Sequence, residues 1–129
     1  MDSDVLVVDD SAAIRKILTR VLRQTGMAIQ TIHEAGDGQE ALAVMALHRI
    51  DLVLSDINMP KMDGLQLLAS LKASPQWQSV PVVMITTEGG ETKVAEAVRL
   101  GAAGYVRKPF TADQIKEKLV GILEPAVAL

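Results

Sequence analysis

Five short apolar runs, rich in β-branched residues, alternate with longer stretches whose apolar residues recur every three or four positions. No other feature constrains the fold as much. Val5-Leu6-Val7-Val8 is continuous and apolar, as in a strand covered on both faces. Ile14, Ile17, Leu18, Val21 and Leu22 follow at helical spacing, and Gly26 closes that helix. Residues 28–35 read as a second strand, less apolar and expected at an edge. A capping box from Asp37 to Glu40 opens a second helix with Ala41, Leu42, Met45 and Ala46 inward. The third strand spans 51–55, and a third helix carries Leu67, Leu68 and Leu71 and stops before Pro75. The fourth strand is 82–85, and a helix bearing Val94, Ala97 and Val98 is closed by Gly101. The fifth strand is 105–107, and Thr111 with Gln114 caps a last helix bearing Ile115, Leu119, Ile122 and Leu123.

This alternation predicts an α/β fold, a parallel sheet with helices on both faces. The 129 residues match one such domain, and only six follow Leu123, so a single domain over 1–129 with no output domain is expected. With three aromatic residues in the chain, the core has to be aliphatic. The absence of Cys excludes disulfides, thiolate metal sites and cysteine nucleophiles, and fits a reducing compartment. A net charge of −3, with adjacent basic residues only at Arg15-Lys16 and Arg107-Lys108, is a poor match to nucleic acid. The start Met1-Asp2-Ser3-Asp4 carries no basic region and no apolar run reaches membrane length, so a cytoplasmic chain away from membranes is expected.

In an open α/β sheet, ligands bind beyond the carboxyl ends of the strands. The first strand runs into Asp9-Asp10, the third into Asp56, the fourth into Thr86-Thr87-Glu88 and the fifth into Lys108-Pro109. The second ends on nothing reactive. Taken singly, each residue has a structural role open to it: Asp10 or Ser11 as a helix cap, Asp56 in a turn, Thr86 as a strand former, Lys108 as a solvated charge. Taken together they do not, because three carboxylates brought this close repel one another without a cation. A hard divalent ion with oxygen ligands resolves the repulsion, and Mg²⁺ suits a site with few carboxylates. Lys108 then clamps an anion, and the set points to phosphoryl transfer.

Val7-Val8-Asp9-Asp10-Ser11, Asp56-Ile57-Asn58-Met59-Pro60, Asp63-Gly64, Ile85-Thr86-Thr87-Glu88 and Lys108-Pro109-Phe110 together resemble the signature of response-regulator receiver domains. The resemblance spans nearly the whole chain, and the pair Asn58 and Glu88 resembles the single-domain chemotaxis type. It implies a flavodoxin-like, doubly wound sheet of five parallel strands in the order 2-1-3-4-5 with five helices. It implies that Asp56 accepts a phosphoryl group from a phosphohistidine on a partner histidine kinase. Asp9, Asp10, Asp56 and the backbone carbonyl of Asn58 would hold Mg²⁺, while Lys108 and the Thr86 hydroxyl would bind phosphoryl oxygens. Thr86 and Tyr105 would form the switch, with Tyr105 outward at rest, and Gly89-Gly90 would free the loop after the fourth strand. Asn58 and Glu88 would set the lifetime of the phosphate. Thr87 departs from the small residue usual in the family. The Lys108-Pro109 peptide would be cis.

The resemblance further implies a monomer whose output is protein binding through helix 4, strand 5 and helix 5, including Lys93, Glu96, Arg99 and Tyr105, at a motor switch or similar target. A phosphorelay intermediate that returns its phosphate to a histidine phosphotransfer protein is the alternative within signalling. An aspartyl-phosphate phosphatase of the haloacid dehalogenase type would need an acid where Asn58 stands, and an electron carrier would not place Asp9 and Asp10 against a flavin phosphate. His33 and His48 have no acidic or histidine neighbour at ligand spacing and read as surface or edge residues. Trp77, Met59, Met62 and Phe110 read as packing residues.

Overall fold

A computed structural model describes residues 3–86 and 91–123. Thr87, Glu88, Gly89 and Gly90, singled out above, therefore lie outside the described residues. The elements follow one another as β1 (Ser3–Val8), α1 (Ala12–Gln24), β2 (Ile29–Ala35), α2 (Gly38–Leu47), β3 (Leu52–Asp56), α3 (Gly64–Ala73), β4 (Val82–Thr86), α4 (Glu91–Leu100), β5 (Gly104–Arg107) and α5 (Ala112–Leu123). All neighbouring strands pair in parallel, in the order β2-β1-β3-β4-β5.

Side chains alternate across each strand, so the continuous apolar runs split between two cores. Leu6, Val8, Val53, Val82 and Met84 meet Ala41 and Met45 of α2, Leu67, Leu68 and Leu71 of α3, and Ala97 of α4. Val5, Val7, Leu52, Leu54, Val83, Ile85 and Val106 meet Leu18, Val21 and Leu22 of α1 and Ile115 and Leu119 of α5. Each fully buried Leu or Ile contributes about 1.5–3 kcal/mol by leaving water. β1, β3 and β4 have both faces covered, which is why their sequences lack polar alternation. β2 and β5 are the edges, and β2 shows it in exposed Gln30 and Thr31.

Helix starts follow local chemistry. Ser11 caps α1, its hydroxyl accepting from the Ile14 amide at 3.3 Å. Asp37 Oδ1 accepts from the Glu40 amide at 2.8 Å, the Asp37 half of the box expected there. The full reciprocal box opens α3, between Asp63 and Gln66, where none was expected. The Thr111–Gln114 box forms as expected. Gly26 and Gly101, at φ 73° and 104°, end α1 and α4 in the left-handed region.

Three expectations need correcting. Ala46 is exposed, because α2 turns a narrower face to the sheet than its run of apolar residues suggests. Ile17 is 42% exposed on α1 for the same reason. His33 and His48 do have neighbours: the His33 Nε2 is 3.2 Å from Asp4 Oδ2, and the two imidazole centroids are 4.4 Å apart. Parallel pairing sets His33 opposite Leu6, so Asp4 shares its face two residues back, and the end of α2 brings in His48. Trp77, Met59, Met62 and Phe110 pack against the two cores as expected.

Candidate functional site

After β1 the chain crosses to the β2 edge, then returns past β1 to β3. The carboxyl ends of β1 and β3 thus diverge into helices on opposite sides and leave a crevice between them. Asp9 and Asp10 enter it from β1, Asp56 from β3. One carboxylate oxygen from each can be chosen so that all three lie within 4.8 Å of one another.

Asp9 is buried, at 1% exposure, and its bonds fix it. Oδ1 accepts from the Ser11 amide at 2.9 Å, and Oδ2 is 3.4 Å from Lys108 Nζ. Its main-chain oxygen accepts from the Arg15 guanidinium, which also pairs with Glu34 at 3.0 Å. Because Ser11 caps α1, Asp10 is not consumed as a cap and stays exposed. Asp56 Oδ1 accepts from the Ile57 amide at 2.8 Å, while Oδ2 lies 3.7 Å from Lys108 Nζ. One ammonium therefore spans two of the three carboxylates. Burial pushes the Asp56 carboxyl above its ordinary range, and the Asp9 and Asp10 charges add to this against the opposing Lys108 charge and Ile57 amide. A cluster with this excess of oxygen charge fits a hard divalent cation.

Thr86 ends β4, 3% exposed, and its main-chain oxygen accepts from the Lys108 amide at 2.7 Å. That bond ties the ends of β4 and β5 together beside the acids. The Lys108-Pro109 peptide is cis, as expected. Tyr105 is 36% exposed and faces outward, with Lys118 Nζ 5.6 Å from its ring centroid. Beneath the crevice, Gly64 lies so close that a Cβ there would fall 2.2 Å from the Asp56 main-chain oxygen.

The structure thus brings together Asp9, Asp10, Asp56, Thr86 and Lys108, and places Tyr105 on the neighbouring edge. Asn58 is exposed two residues beyond Asp56, and its Oδ1 accepts from Lys93 Nζ of α4 at 2.5 Å. Lys93, expected on the output face, also reaches the site. Lys93 and Arg15 are the site neighbours that the sequence did not announce, since neither lies at a strand end.

The sequence matches the response regulator receiver domain family over residues 5–120. The chain belongs to the response regulator receiver domain family. It is 40% identical over 120 residues to chemotaxis protein CheY-3 of Vibrio cholerae, covering 93% of this chain and 91% of that protein. It is 38% identical to chemotaxis protein CheY of Pseudomonas aeruginosa, covering 93% and 95%. Among solved structures, the Vibrio cholerae chemotaxis response regulator CheY4 superposes with a TM-score of 0.84 at 34% identity, covering 95% of this chain and all of that one. The flavodoxin-like fold and strand order implied by the motifs are those of a receiver, and the chain is a response-regulator receiver of two-component signalling.

Among the described residues, no helix is long and apolar enough to cross a membrane.

Proposed function

We propose that this receiver accepts a phosphoryl group on Asp56 from a phosphohistidine of a partner histidine kinase, in chemotaxis signalling. The observation that carries the reading is the placement of Asp56: buried, raised in pKa, and facing one lysine and two further acids at the end of a central strand. A raised pKa makes the carboxylate oxygen more basic and so a stronger nucleophile once ionised. The oxygen attacks phosphorus, the phosphorus–nitrogen bond to the kinase histidine breaks, and that imidazole leaves with a proton. An acyl phosphate remains on Asp56. Lys108, already 3.7 Å from Oδ2, pairs with a phosphoryl oxygen. Thr86 offers its hydroxyl to another.

Mg²⁺ is the proposed ion, held by Asp9, Asp10, Asp56 and the Asn58 carbonyl. When bound, it neutralises charge on the transferring phosphoryl group. Asp9, fixed by Ser11 and Lys108, presents its carboxylate with little left to reorganise. Asn58 and Glu88 then govern how long the phosphate lasts. The chain turns over no separate substrate and catalyses only its own phosphorylation and dephosphorylation. It acts as a cytoplasmic monomer, and Thr86 and Tyr105 relay the phosphate to a protein target at α4, β5 and α5.

Incubation with acetyl phosphate and Mg²⁺ tests the reading. Intact mass should rise by one phosphoryl group, lost again in alkali, and Asp56→Asn should not label. Asp10→Ala should weaken Mg²⁺ binding followed by NMR shifts. Equal labelling of Asp56→Asn, or equal Mg²⁺ affinity in Asp10→Ala, refutes the corresponding assignment.

A further inference from the structure

Lys93 lies in the first turn of α4, and its Nζ donates to Asn58 Oδ1 across a separation of 35 residues. An exposed lysine is ordinarily free to rotate in water, so holding this one against the loop after β3 restrains a long side chain. Its acceptor is a neutral carboxamide. An anionic acceptor adds a charge–charge attraction to an ammonium's hydrogen bond that a neutral carboxamide cannot supply. The partner of Lys93 is therefore replaceable by any anion that arrives beside it.

The charges indicate which anion. Three carboxylates and the Lys108 ammonium leave an excess of two negative charges, which one divalent cation would cancel. Phosphorylation replaces the single charge of Asp56 by about two. One negative charge is then left over. Two other cations at this end of the sheet are already committed to charged acceptors: Arg15 to Glu34, and Lys61 to Asp37 at 4.0 Å. Lys93 is held by a neutral group two residues from Asp56.

Resting on the function proposed above, we propose that Lys93 is a second phosphoryl-binding residue. On phosphorylation its Nζ passes from Asn58 Oδ1 to a phosphoryl oxygen, with no covalent change. Because Lys93 belongs to α4, the phosphate then holds the first turn of that helix directly. This link runs beside the one through Thr86 and does not pass through it.

The test uses the full chain with Lys93→Ala and Lys93→Arg. In metal-free protein, Lys93→Ala should move the Asn58 side-chain amide signals and leave the core signals in place, which reads the contact without any phosphoryl chemistry. Unmoved Asn58 signals overturn the proposal. With Mg²⁺ present, beryllofluoride stands in for the phosphoryl group. Its affinity should fall roughly three- to fivefold in Lys93→Ala, the upper range for an exposed ion pair, and hold in Lys93→Arg. Added salt should weaken binding more in wild type than in Lys93→Ala.

Unchanged or tighter beryllofluoride binding by Lys93→Ala overturns the proposal; tighter binding would make Lys93–Asn58 a resting-state latch instead. Labelling by acetyl phosphate separates the two levels of inference. If wild type labels on Asp56 and Lys93→Ala binds beryllofluoride as well as wild type does, the Lys93 assignment alone fails. If wild type does not label, the proposed function fails and takes this inference with it.

Discussion

Gly64→Ala tests whether the site rests on the close approach of α3 to β3. Gly64 is the first residue of α3, and its amide donates to the Ile57 carbonyl at 2.8 Å. A Cβ there would lie 2.2 Å from the Asp56 main-chain oxygen, 2.8 Å from Met84 Cε and 2.9 Å from Ile57 Cα. The Met84 methyl can swing away, but the two backbone atoms cannot move without taking the end of β3 with them. Ordinary contact begins near 3.4 Å, so helix and strand must part by about 1.2 Å, the difference between 3.4 and 2.2 Å. Overpacking costs about 1–3 kcal/mol, and displaced backbone belongs in the upper part of that range. Alanine recovers about 0.5–1 kcal/mol through its better helix propensity. The net loss is about 1–2 kcal/mol, or a fall in Tm of roughly 4–8 °C for a chain of this length. The shift also displaces the Asp56 backbone, so labelling by acetyl phosphate should slow more than stability alone explains. Gly121→Ala in α5 is the control: nothing lies within 4 Å of its Cβ position, so the same substitution should raise stability by up to about 1 kcal/mol. Thermal melts of both variants decide the matter. A Gly64→Ala protein as stable as wild type would show that α3 does not press on the Asp56 backbone.

Burial raises the Asp56 pKa, so the folded chain holds that proton more tightly than the unfolded one, and stability from this group falls as pH rises from the ordinary carboxylate pKa through the raised one. Asp56→Asn should therefore melt higher than wild type at pH 7, with the gap closing below about pH 4; a wild type more stable at pH 7 refutes the sign. Lys61 holds φ at 65°, so Lys61→Gly should gain about 0.5–1 kcal/mol in denaturant unfolding, and a loss would mean its contact with Asp37 outweighs the strain. Thr86→Ala should still label on Asp56 but lose about 1–3 kcal/mol of coupling, seen as weaker beryllofluoride-induced NMR shifts around Tyr105. Equal shifts in the two proteins would remove Thr86 as the transmitter.

The parts of this molecule that the sequence announced are those fixed over a few residues. Val5 to Val8, 52–56 and 82–86 lack polar alternation because two helical layers cover them, and that double burial is written directly in the run of apolar residues. Asp9, Asp56, Thr86 and Lys108 could be assigned to one edge because each ends, or directly follows, a strand, and parallel strands all end on the same side. Where a position depended on how a helix turns about its own axis, the pattern failed. From Ala41 to Leu47 α2 carries only apolar residues, so nothing local distinguished buried Ala41 from exposed Ala46. Asp63 was noticed as part of a motif and not as the cap it forms with Gln66, because Gly64 beside it masked the start of the helix.

Contacts between distant segments were the least visible, and for a different reason. Asp4, His33 and His48 meet because strand register and helix length agree, and 29 residues separate even the first two. The sequence places Lys93 on the output face of α4 and not at the acidic site. Its contact with Asn58 depends on where α4 begins and how it lies over β4, and neither is encoded in the residues beside it. Strand ends allow one register and hence one placement, whereas a lysine on a flexible stem in a first helical turn allows many. The acidic end of the sheet was therefore readable in its fixed members and silent about the cation that reaches it from across the fold. Asp9 and Asp56 are fixed by their strands and by main-chain amides, while Lys93 is held only at the far end of a long side chain.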